Sequence, residues 1–165
     1  MRYVLFYLIL IGMILSPCFQ SYALNTPLGD FPDWGESLEQ VIEKRNIESP
    51  IVEEGRSLLF DIPAKIMLAK ETSREWTYTV LYYFWQNKLI EFSISIEEGK
   101  SLDHLYRTIK NILEITHEKY DGPYFMGEDA FLDEERNTII LLMNSDKVIL
   151  YFIDFMAYIQ HRETR

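Results

Sequence analysis

The sequence predicts an α+β domain: a twisted antiparallel sheet of about six strands with two helices packed on one face, in the order α-β-β-β-β-α-β-β. Three observations carry this. Residues 76–96 read as a long β-hairpin, two runs rich in aromatic and β-branched residues around Gln86-Asn87. Residues 102–116 hold apolar side chains at the spacing of one helix face. Two further apolar runs, 137–143 and 147–155, flank Asn144-Ser145-Asp146 and read as a second hairpin inside the sheet.

The elements follow in order. Residues 24–35, with Pro27, Gly29, Pro32 and Gly35, form an extended lead-in. Ser37 and Gln40 make a capping box, the hydroxyl taking an orphan N–H and the amide reaching back. A short helix then runs to about Asn46, with Trp34 folded over its first turn, and Ser49-Pro50 closes it. Residues 57–62 and 65–70 read as a strand pair bent at Pro63-Ala64, and residues 70–75 as a polar turn. In the hairpin's second arm Ile90, Phe92, Ile94 and Ile96 share one face, and Glu91, Ser93 and Ser95 the other, which reads as wet. Its first arm has Trp76, Tyr78, Val80, Tyr82 and Phe84 on one face, yet Leu81, Tyr83 and Trp85 on the other. Ser101 caps the second helix, and Gly122-Pro123 stops the chain beyond it. Residues 124–136 read as an acidic loop, and the tail from Gln160 as charged and frayed.

Composition sets the outer limits. A chain of 165 residues, 48% hydrophobic, suits one domain with a core of its own. The net charge of −10 argues against nucleic acid and against an anionic membrane surface, both of which call for clustered lysine and arginine. Residues 1–23 read as a cleaved secretory signal. Arg2 precedes an uncharged run from Tyr3 to Leu15, and Ser21-Tyr22-Ala23 supplies small residues for the peptidase. That run is shorter than the roughly 20 residues of a membrane span, so no stable insertion is expected after cleavage. Retention as an anchor, or lipidation at Cys18, are the alternatives. The remaining chain, 24–165, is read as a single periplasmic or secreted domain. Cys18 is the only cysteine, so that domain has no disulfide and no thiol chemistry.

No constellation of residues marks a catalytic centre. His104 and His117 lie about 220° apart around their helix and cannot share a metal. Glu114 and His117 have a metal-like i, i+3 spacing, but no second Glu-x-x-His completes it. No metal and no cofactor is therefore expected. The acidic residues of 128–135, Glu128, Asp129, Asp133, Glu134 and Glu135, could supply the paired carboxylates of a hydrolase, with a solvated loop as the plainer alternative. What stands out is aromatic content, 15% of residues. Leu81, Tyr83 and Trp85, opposite the face that should meet the helices, form a candidate interaction face for a protein partner or a second copy. A carrier of an apolar ligand between sheet and helices is a further reading.

Asp33-Trp34-Gly35-Glu36-Ser37-Leu38-Glu39-Gln40-Val41 resembles the Trp-Gly-x-Ser-x-Glu-x-Val opening of small exported bacterial envelope proteins. Tyr106 with Ile109, the stretch Lys119-Tyr120-Asp121-Gly122-Pro123, and the closing strands at 138–141 and 148–151 are similar to later elements there. More distantly, a helix followed by a meander resembles the small outer-membrane assembly lipoproteins and the β-lactamase-inhibitor-like scaffolds. The resemblance implies an exported binding scaffold and no particular activity.

Overall fold

The structure, a computed structural model, describes residues 32–73, 76–96, 102–121, 129–144 and 147–163. They form α1 (Leu38–Arg45), β1 (Ile51–Arg56), β2 (Pro63–Ser73), β3 (Trp76–Trp85) and β4 (Lys88–Ile96), then α2 (Leu102–Thr116). After it come β5 (Glu118–Lys119), β6 (Asp129–Asp133), β7 (Thr138–Asn144), β8 (Val148–Asp154) and α3 (Phe155–Glu163). The α+β class with an antiparallel sheet agrees with the sequence, but the described residues hold eight strands and three helices, more than expected. The expected signal peptide of 1–23, the lead-in up to residue 31, the cap at Ser101, the stop at Gly122-Pro123 and part of the last hairpin's turn lie outside the described residues.

The strands make one open sheet in the order β1-β2-β3-β4-β8-β7-β6-β5. Two meanders, β1 to β4 and β5 to β8, meet where β8 pairs with β4, and α2 connects them in the chain. Gln86 and Asn87 both take positive φ, 50° and 59°, so the central hairpin closes on the tight turn the sequence implies. Two strands differ from expectation. Residues 57–62, read as a strand, are the turn between β1 and β2, and the strand lies earlier, at Ile51–Arg56. Part of the acidic loop, Asp129–Asp133, is β6.

Cross-strand partners point to the same side of a sheet. One row, Met67, Tyr82, Phe92, Phe152, Ile140 and Phe131, crosses six strands on what we call the Phe92 face. Phe92 and Phe152 stack there at 4.6 Å, with Tyr82 6.0 Å from Phe92. Both expected helices cover this face. The capping box of α1 is present, with Ser37 Oγ accepting from Gln40 N–H at 3.3 Å and Gln40 Oε1 accepting from Ser37 N–H at 2.8 Å. The Trp34 ring lies 5.6 Å from that of Phe92, and its indole N–H donates to Thr138 Oγ1 at 2.9 Å, so it ties the start of α1 to the sheet. Helix α2 buries Ile109 and Leu113 and reaches Asp129, whose partner Leu142 belongs to the same face, through Tyr106 and Lys110.

The opposite side, the Glu91 face, is covered by α3, the helix that replaces the expected frayed tail. Asp154 caps it, accepting from Met156 N–H at 3.0 Å and Ala157 N–H at 3.3 Å. Phe60 from the β1–β2 turn, Tyr158 from α3, and Ile139, Leu141 and Ile153 from the sheet close over one another in a second apolar core. Ile90 belongs to this core too, because a β-bulge at Tyr83/Phe84 pairs Phe84 with Leu89 and Tyr83 with Glu91. The expected placement of Ile90 beside Phe92 is thereby corrected. Among the described residues, no helix is long and apolar enough to cross a membrane.

Candidate functional site

The Glu91 face grades from closed to open, row by row. The row Ile66, Tyr83, Glu91, Ile153 and Ile139 is covered: Tyr83 is 2% exposed and Glu91 fully buried. The next row, Ile51, Leu68, Leu81, Ser93 and Tyr151, is buried at Ser93, half-buried at Leu68, Leu81 and Tyr151, and open at Ile51, which is 56% exposed. The third row, Lys70, Thr79, Ser95, Ile149 and Met143, is half-buried to exposed throughout. The candidate residues therefore part company. Leu81 sits on the half-open row, Tyr83 lies beneath cover, and Trp85, 42% exposed, stands at the hairpin end.

Glu91 overturns the expected wet face. Two groups reach one of its oxygens, Oε2: the Ser57 hydroxyl donates at 2.6 Å and the Leu59 N–H at 3.5 Å. Its other oxygen, Oε1, is buried without a hydrogen-bond partner. Burial pushes this carboxyl from 4.5 up to about 7, against the pull of the Ser57 and Leu59 hydrogen bonds. Tyr83, its cross-strand neighbour, is raised by its own burial and then by the Glu91 charge. The covering turn is built on Ser57. Its N–H donates to Ile62 O at 2.9 Å, its Oγ accepts from Phe60 N–H at 3.1 Å, and its O accepts from Asp61 N–H at 3.2 Å. Asp61 takes the left-handed conformation, φ 52°, and pairs with Arg56 at 2.7 Å on the solvent side.

Among the described residues, the acidic residues of 129–135 do not assemble an acid–base pair. Glu128 lies outside the described residues. Burial would raise Asp129, but hydrogen bonds from Lys110, at 2.6 Å, and from Tyr106 prevail and hold it below the usual carboxylate range. Asp133 lies 3.6 Å from His117 Nε2, while Glu134 and Glu135 are exposed in the β6–β7 turn. Among the described residues, the carboxyls raised by burial, Glu91 and Asp154, lie elsewhere, and Asp154 serves as the α3 cap. His104 is exposed, and His161 packs edge-on to Phe60 at 5.8 Å. Among the described residues, no group of three or more His, Cys, Asp and Glu is placed to hold a metal ion.

No protein-family model, no curated protein and no solved structure matches this chain.

Proposed function

We propose that this chain is an exported, non-catalytic binding module that holds a protein partner on the open half of the Glu91 face. The observation that carries this is the Ile51–Leu68–Leu81 row, a graded apolar strip that leads from the covered core to an exposed sheet edge. Met143, 39% exposed, and Ile149 extend it along the next row. An apolar strip rimmed by polar groups has the composition of a partner-binding surface. Export rests on the N-terminal signal pattern.

Charge selects the partner. Two copies of a chain with net charge −10 repel, and β1, at the rim of the strip, adds exposed Glu53 to this face, opposite Ile66. A partner with basic groups around an apolar centre fits this surface better than a second copy does. The hydrolase reading finds no support in Asp129, which is held ionised. The apolar carrier finds none in the space beneath α1, where Trp34 and Phe152 both lie against Phe92.

Light scattering is expected to show a monomer. In cross-linking and affinity capture from a cell envelope, a partner retained by the wild-type protein should be lost with Leu68→Asp, with circular dichroism unchanged. Raised salt should weaken the retention. A dimer dispersed by Leu68→Asp, or retention indifferent to that substitution, would contradict the proposal.

A further inference from the structure

The β1–β2 turn does more in this fold than connect two strands. From the sheet edge it crosses the Glu91 face and sets Ser57 on a residue of the fourth strand along, at 2.6 Å. Ser57 is 2% exposed and Phe60 3%, whereas Leu58 in the same turn is 56% exposed. The turn is thus a strap, greasy below and wet above. On the sheet side, Ser57 Oγ and Leu59 N–H meet the Glu91 carboxyl. The strap's apolar attachment is the Phe60 ring, wedged edge-on against Tyr158 at 6.1 Å and His161 at 5.8 Å, with Leu59 and Ile62 packed against the same core.

We propose that residues 57–62 are a lid over the Glu91 face, latched while the Glu91 carboxyl is neutral and released when it ionises. A buried carboxylate needs donors on both oxygens, and here Oε1 has none. Among the described residues, no lysine or arginine charge offsets it. Ser57 and Leu59 face it from the turn, Tyr83 from β3, and Ile153 from β8 with Tyr151 one row on. From α3, Tyr158 and His161 pack edge-on against Phe60. The charged groups of the lid, Arg56 and Asp61, neutralise each other in solvent. An ionised Glu91 gains hydration by displacing the smallest element that covers it, and that element is the turn. Strand separation would sacrifice the sheet core, while lid opening gives up a few contacts. Opening also uncovers Tyr83, which joins Leu68 and Leu81 in a wider apolar surface. The lid stands on its own geometry, so it can hold or fail independently of the partner reading.

Amide exchange of the protein between pH 5 and pH 8.5, corrected for intrinsic rates, reads the lid directly. In the wild type, protection of Phe60 N–H and Leu59 N–H is expected to fall by roughly a hundredfold from pH 5 to about pH 7 and then level off. The central amides of β4, Phe92 and Ile94, should stay protected throughout. Glu91→Gln should flatten the lid profile. Ser57→Ala should lower lid protection at every pH, since the latch loses its hydroxyl. A pH-independent wild-type profile, the same fall in Glu91→Gln, unchanged protection in Ser57→Ala, or core amides lost in step with the lid would each overturn the proposal.

Discussion

Replacing Glu91 by glutamine is expected to make the protein more stable than wild type above pH 7 and less stable below pH 5. The sign follows from linkage. The folded-state carboxyl sits near 7 against 4.5 for a glutamate in water, so its contribution is complete below 4.5 and lost as pH rises through about 7. The displacement corresponds to about 3 kcal/mol of stability lost across that window. Glutamine does not titrate, and its amide leaves unpaired donors beside Oε1, a cost of about 1–2 kcal/mol. The two stabilities should therefore cross between pH 5 and pH 7. Urea unfolding of both proteins from pH 4.5 to pH 8.5 gives the difference directly. A difference independent of pH would show that the carboxyl is not buried in the folded state.

Phe92→Ala is expected to cost about 4 kcal/mol, seen as a lower urea midpoint. Phe92 is 2% exposed at the middle of the row that crosses six strands. It stacks on Phe152 and touches Tyr82 and Trp34, so its removal opens a cavity where the two meanders and α1 meet. Trp85→Ala is the fitting contrast. Although larger, Trp85 is 42% exposed at the hairpin end, and its loss should cost under about 1 kcal/mol. Equal costs at the two sites would mean that the Phe92 face is not the main core.

Much of the architecture was legible because it is local. The capping box at Ser37 and Gln40, the helix over 102–116 and the turn at Gln86-Asn87 are each written in a few adjacent residues. What escaped depends on distant parts of the chain. Glu91, Ser93 and Ser95 alternate with apolar residues, and alternation signals water only where nothing lies on the polar side. Here residues 57–62 and 155–163 lie on it. The bulge is equally silent. With an unbroken register the turn would set Tyr83 opposite Ile90 and Tyr82 opposite Glu91; the extra residue reverses both. Helix α3 was hidden because β8 runs into it without a glycine or proline, leaving Asp154 as its one local sign. Strand β1 was missed because an edge strand exposed on both sides shows no alternation. Of the candidate face, Leu81 and Trp85 keep exposed surface, while Tyr83, set opposite Glu91 by the bulge, is buried.

A carboxyl in the heart of the sheet, that of Glu91, is sealed under the β1–β2 turn. Titration of the Glu91 side-chain carboxyl carbon by NMR tests it most directly. A midpoint near 7, well above the ordinary glutamate range, is the expected result. A midpoint in the ordinary glutamate range would mean that water reaches Glu91 freely, and the covered half of this face, with its lid, would not exist.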